Sequence, residues 1–297
     1  RKKAEELGDN IKMGRTQLQD AVPMTLGQEF ESYAASLENE IPQIQFAREN
    51  LHTINMGATA IGTGINSDPN YTPKVTAHLA QISGLDLKAA KNMIAATNDT
   101  SDFVTYSSEL KRLSAKLSKI CSDLRLLSSG PRTGLYDISL PPMQPGSSIM
   151  PGKVNPVIPE VVNQVCYRVI GNDTAVILAA ESAQLELNVF EPVMIYSIFE
   201  SIKLLINAMK TLRERCVTGI VGNYEHCKES VHRSIGLVTA LNPVIGYEAS
   251  SDIAKTALRD NRSVYDLVLE RGLLSKEKLD EVLKPENMTK PKNMSKI

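Results

Sequence analysis

From Leu110 the apolar residues recur at Leu113, Leu117, Ile120, Leu124 and Leu127, a 3-4-3-4-3 spacing that only a long helix places on one face. A seam this narrow packs against neighbouring helices as in a coiled coil, and Gly130-Pro131 ends it. A second helix is expected after Pro156, running through Val161, Val165 and Val169 to about Asp173. A third, apolar nearly all round, spans about Pro192 to Arg215. Helices with apolar residues on more than one face need several neighbours. The expected fold is therefore all-α, a long-helix bundle, and the same excess of apolar faces predicts self-association. Strand signals are scarce, and Ala4 to Ile11 reads as the end of a further helix.

Around Ile220-Val221-Gly222-Asn223 the pattern changes to shorter helices with clear caps. Ser263 precedes Val264 to Leu267, Gly272 stops that helix, and Ser275 opens Lys276 to Leu283. The expected division is a central helical bundle over 1–220 and a small C-terminal helical domain over 221–297. The chain begins with Arg1 inside a helical pattern, as if it were the interior of a longer protein.

The 33 basic and 34 acidic residues leave a net charge of −1, without the clustered basic face that nucleic acid requires. No apolar run is expected to reach the length of a membrane span, because Glu191 and Pro192 interrupt Val189 to Phe199. The four cysteines, Cys121, Cys166, Cys216 and Cys227, are widely spaced in helical patterns and read as reduced, buried thiols of a cytoplasmic protein. Cys227 with His226 and His232 does not have the spacing of a metal site, and no metal or organic cofactor is expected.

The run from Gly146 to Pro156, with Ser147, Ser148, Met150, Lys153 and Asn155, contains polar groups that a helical scaffold does not need for packing. Its glycines and prolines permit an irregular backbone whose N–H groups can form an anion-binding nest. A hydroxyl six residues before a lysine suits removal of a proton from carbon beside a carboxylate, with Ser147 as base and Lys153 and the amides holding the charge. Gly14 to Pro23 is a second polar cluster. Thr16 and Gln17 at its tip are either donors for a substrate or part of a turn into a helix near Thr25. Glu160, seven residues after Lys153, lies on the same helical face if a helix begins at once. Gly57 to Gly64 looks superficially like a phosphate loop, but Thr63 stands where the lysine belongs, so close helix approach is the better reading.

Taken together, these segments resemble the aspartase/fumarase superfamily of lyases. Gly14 to Pro23 is similar to the second of its three signature regions, and Gly146 to Asn155 is an unbroken copy of the third. The resemblance extends to Asn163-Gln164-Val165, Gly171-Asn172-Asp173 and Asn188 to Pro192. It implies a homotetramer around long helices, each active site drawing one signature region from each of three subunits. Carried over, Ser147 matches the general base on a mobile loop. Lys153 and Asn155 match residues that bind the substrate carboxylates, and Thr16 matches a substrate-binding hydroxyl. Ser148 is expected to bind the substrate as well, with Met150 and Glu160 in supporting positions. The first signature would lie upstream of Arg1, and a chain truly lacking it is expected to be inactive alone.

Within that family the alternatives are loss of ammonia from aspartate and loss of water from malate. Fumarases resembling this chain carry histidine at the position of Gln17, paired with a carboxylate that Glu160 matches. Glutamine cannot titrate, so that relay is broken. Val157-Ile158-Pro159-Glu160 also resembles the aspartase branch. The expectation is ammonia elimination from a small dicarboxylic amino acid. Fumarate hydratase and an inactive truncated scaffold are the alternatives.

Overall fold

The computed structural model describes residues 1–146 and 149–291. The chain opens with α1 (Lys2–Leu7), a hairpin of β1 (Ile11–Thr16) and β2 (Gln19–Thr25), then α2 (Leu26–Glu38) and α3 (Ile41–Asn50). Short strands β3 (Thr53–Ile54) and β4 (Lys88–Ala89) flank α4 (Tyr71–Ser83), and α5 (Ala95–Asn98) leads into the 27-residue α6 (Ser101–Leu127). After β5 (Ile138–Ser139) come α7 (Val157–Glu181) and α8 (Glu191–Arg215). β6 (Val221–Gly222) pairs with β5, and the C-terminal helices are α9 (Tyr224–Arg233), α10 (Val238–Ile245), α11 (Tyr247–Asp260), α12 (Val264–Glu270), α13 (Lys276–Val282) and α14 (Pro285–Met288). The architecture is all-α in class, as expected.

The chain divides into two compact units. One holds residues 36–122 and 157–213. Its core comes from α6, α7 and α8, with the seam positions Leu110, Leu113, Leu117 and Ile120 of α6 buried in it; Leu124 and Leu127, which fall in the other unit, are buried as well. On α7 the buried stripe is Val162, Cys166, Val169 and Val176; of the expected positions Val169 is buried, Val165 is half-buried and Val161 is 44% exposed. The helix is apolar on two faces, and this unit covers only one of them. Polar residues register the helices. Asn172 Nδ2 donates to Ser201 Oγ at 3.1 Å and Glu200 Oε2 at 2.8 Å, while Asn163 Nδ2 donates to the Ser118 carbonyl at 2.9 Å.

The stretch Glu191–Gly219 contains an 18-residue window of mean hydropathy 1.3 and is, by length and composition, long and apolar enough to cross a bilayer, against the sequence expectation. Glu191 and Pro192 do not interrupt it, because they occupy the first turn, where proline is tolerated. Its Met194, Ile198 and Leu205 are buried in the bundle.

Glu40 is buried in the same unit and accepts hydrogen bonds from Arg112 Nε at 2.7 Å and from Lys116 Nζ. Burial works against its charge. The two cations and their hydrogen bonds outweigh that cost and hold the carboxyl below the usual range. Glu40→Gln is therefore expected to destabilise the full-length protein at neutral pH by about 1.5–3 kcal/mol, the scale of hydrogen bonds to charged groups. A lowered native pKa means that this stabilisation is complete above the ordinary carboxylate pKa and fades as acid protonates Glu40. Thermal melts of parent and variant should accordingly converge at low pH.

The other unit comprises residues 1–35, 123–156 and 214–297. Residues 221–297, expected as a separate domain, thus group with both earlier segments. The link to the first segment is a shared core, in which Ile11 and Met13 of β1 are buried in one cluster with Val231, Leu237, Leu241, Ile253, Leu267 and Leu279, and the link to the second is the pairing of β5 with β6. The helix expected to end at Ile11 stops instead at Leu7, and Ile11 begins a strand. Thr25 caps α2 as the sequence indicates. Its hydroxyl accepts from the Gln28 N–H at 3.0 Å, and its own N–H donates to Gln28 Oε1 at 3.0 Å. Ser263 and Ser275 cap α12 and α13 in the same way. All four cysteines are buried thiols outside any disulfide, and burial raises Cys216 and Cys227 to about 12. His226 bonds to the Leu135 carbonyl at 2.8 Å and Cys227 to that of Asp137 at 3.4 Å, so both serve the fold.

Residues Gly57 to Gly64 lie in turns, not between helices. Close approach does hold at Gly62, where an added Cβ would stand 2.4 Å from the backbone of Ile94 beside α5.

Candidate active site

The hairpin is joined by a two-residue turn, Thr16 pairing with Gln19, and its central residues Gln17 and Leu18 have φ of 52° and 64°. Two positive φ values make a mirror-image turn that suits strand twist but usually carries glycine or asparagine. Side chains in this region cost about 1–2 kcal/mol per residue, and such strain collects at functional sites. Sequence reasoning saw a turn here but missed the hairpin, because neither residue type signals a turn of this hand. Thr16 and Gln17 are exposed at the tip, and neither side chain has a hydrogen-bond partner among the described residues. The second strand is tied down at Asp20, whose Oδ2 accepts from Ser234 Oγ at 2.7 Å.

The second candidate segment follows β5. Ser147 and Ser148 lie outside the described residues. On either side of them the loop closes on itself: Asn155 Nδ2 donates to the Gly146 carbonyl at 3.2 Å, and the Lys153 N–H to that of Met150 at 3.3 Å. Met150 is 46% exposed at the tip. Lys153 is exposed and makes no ion pair among the described residues, leaving its charge available to an anion. Pro151 to Val154 form one wall of a cavity of about 480 Å³ whose other walls are Ser128, Gly130, Pro131, Tyr136, Ser139 and Leu140. The helix after this loop begins only at Val157, so Lys153 and Glu160 do not share a continuous helical face.

The structure does not gather all the candidates in one place. Thr16 and Gln17 do not line the Lys153 cavity. The depression beside the hairpin runs from Leu18–Ala21 to Arg233–Thr239 and includes neither Lys153 nor Asn155.

Beneath the hairpin lies a buried charge cluster that the sequence reading did not contain. Asp137 receives Arg15 Nη1 at 2.7 Å and Lys12 Nζ at 3.1 Å, and Lys12 also pairs with Glu29. No local signal marks it, because Arg15 and Asp137 are 122 positions apart.

A family model described as Lyase matches residues 1–171, and another, Fumarase C C-terminus, matches residues 237–290. The chain belongs to the aspartase/fumarase superfamily. This lyase-superfamily chain is 58% identical to an aspartate ammonia-lyase of Helicobacter pylori, over 97% of its own length and 62% of that protein. It is 60% identical to one from Pseudomonas aeruginosa, over 98% of the chain and 61% of that protein. Among solved structures, it matches a fumarate lyase:delta crystallin from Brucella melitensis bound to cobalt with a TM-score of 0.94 and 52% identity, covering 98% of this chain and 63% of that one. A class II fumarase from Schistosoma mansoni matches with a TM-score of 0.91 and 34% identity, covering 98% and 64%. The lyase-superfamily chain spans about three fifths of the length of these curated relatives.

Proposed function

We propose that the full-length protein is an aspartate ammonia-lyase, converting L-aspartate reversibly to fumarate and ammonia. The observation that carries the reading is the 50–60% identity, over nearly the whole chain, to proteins of that name. Gln17 supports the choice, since an amide cannot serve a histidine-dependent proton relay.

In the proposed mechanism Ser147, as alkoxide, takes the proton from Cβ. That proton is acidic enough only if the adjacent carboxylate accepts the electron pair as an enediolate. Lys153, Asn155 and the loop N–H groups stabilise this dianion more than the ground state, which is where a catalyst must act. The enediolate then collapses, the Cα–N bond breaks with its electron pair on nitrogen, and ammonia leaves. The β-carboxylate is the electron sink, so the chemistry itself calls for no organic cofactor. Thr16 and Gln17 bind the substrate, and Met150 and Glu160 support the loop and its surroundings.

Assembly belongs to the same proposal. Lys153 lines one concavity of the chain, and Thr16 and Gln17 line neither that one nor the depression beside the hairpin. A complete site therefore draws them from different copies, as in a homotetramer whose sites are shared between three subunits. The outward faces of α7 and α8 support it: Leu178, Tyr196, Phe199 and Ile206 are each 58–65% exposed. Covering each such side chain contributes about 1.5–3 kcal/mol.

The test is the ultraviolet absorbance of fumarate when the full-length protein meets L-aspartate or L-malate. Turnover of aspartate and none of malate is expected. Faster turnover of malate would make the protein a fumarate hydratase and end the aspartate reading.

A further inference from the structure

We propose that Asp137 is the positioning residue that holds the hairpin tip in its binding geometry. The proposal rests on the reading of Thr16 and Gln17 as substrate contacts. The Asp137 side chain is 1% exposed and takes up both cations of β1: Arg15, two residues before Gln17, and Lys12. The Arg15 guanidinium meets it as a fork, Nη1 2.7 Å from Oδ2 and Nη2 3.5 Å from Oδ1. Such a planar pair fixes direction as well as distance, which a lysine cannot do. Nη1 of the same guanidinium donates to the Met13 carbonyl at 3.2 Å, where the pairing register shifts between Met13 and Arg15. Arg15 therefore stabilises the irregularity that aims the tip.

Asp137 is itself anchored. Its carbonyl accepts from the Asn223 N–H at 3.0 Å, and Ile138, the next residue, pairs with Gly222. Ser234 restrains the second strand through Asp20, and Asp137 restrains the first. The exposed turn at Gln17-Leu18, in a backbone conformation its residues disfavour, has both flanks fixed from below.

The experiment uses the full-length protein with Asp137→Asn and Arg15→Lys, the latter keeping the charge and losing the fork. For Arg15→Lys, kcat/KM for L-aspartate should fall about 10- to 100-fold, mostly through KM, because the tip binds without reacting. Amide exchange at residues 16–18 should quicken while the core helices keep their protection. Unchanged KM and unchanged exchange at the tip would overturn the proposal. So would uniform loss of protection, or failure of both variants to fold, since either makes Asp137 a general stability element. If Asp137→Asn alone fails to fold, Arg15→Lys decides. An unsubstituted protein inactive on aspartate overturns the aspartate reading instead, and exchange at the tip then decides the positioning role by itself.

Discussion

Ser147→Ala in the full-length protein is expected to lower kcat for L-aspartate by about 10²–10⁴-fold, the range over which a positioned general base acts. KM should change little, because the hydroxyl is needed when the Cβ proton moves and contributes less to holding the ground state. Steady-state kinetics beside a circular-dichroism melt separate this loss from unfolding. Turnover near that of the parent protein would remove Ser147 from the base role. A parallel loss of helical signal would show that the substitution had damaged the fold.

The second large effect is expected from one methyl group. A Cβ added at Gly146 would stand 1.8 Å from the Lys153 carbonyl oxygen and 2.7 Å from its carbon. The obstacle is backbone, which cannot rotate away as a side-chain end can, so the loop has to open. Asn155 then loses its acceptor at the Gly146 carbonyl, and Lys153 leaves the wall of its cavity. Displacement of a binding group by about 1 Å can cost about 10²-fold in rate. Gly146→Ala should lower kcat/KM by that order, and the melting temperature should barely move, because the segment around Lys153 is exposed and lies outside the cores. Parent-like kinetics would mean that the closed loop is not the working geometry. Comparing the two variants also tells a missing proton acceptor from a misplaced charge: the first affects kcat, the second also affects KM.

The long helices were legible because each repeats one simple signal over many turns, as the buried α6 seam from Leu110 to Leu127 does. The face of α7 was less legible. Its valines occupy two stripes, and periodicity alone does not say which one this chain covers. The loop at residues 146–155 stood out because its residue types fit no packing role. Its local geometry was harder to foresee: the expected face joining Lys153 to Glu160 fails because the helix starts at Val157.

The hairpin was read only as a turn. Gln17 and Leu18 adopt backbone angles that neither residue prefers, and contacts distant in sequence enforce them. Asp137 was invisible for the same reason. A lone aspartate between Tyr136 and Ile138 gains its meaning only when Arg15 and Lys12 arrive from the other end of the chain.

The cluster that buries Ile11 and Met13 draws every other member from residues 231–283. On the ribosome, the strand bearing Thr16 therefore emerges more than two hundred residues before the surface meant to receive it. During that interval its inward-facing side chains have no native cover, and closing so long a loop is entropically slow. Nascent polypeptides halted before residue 231 should accordingly leave the hairpin open to protease, and release of the remaining segment should close it.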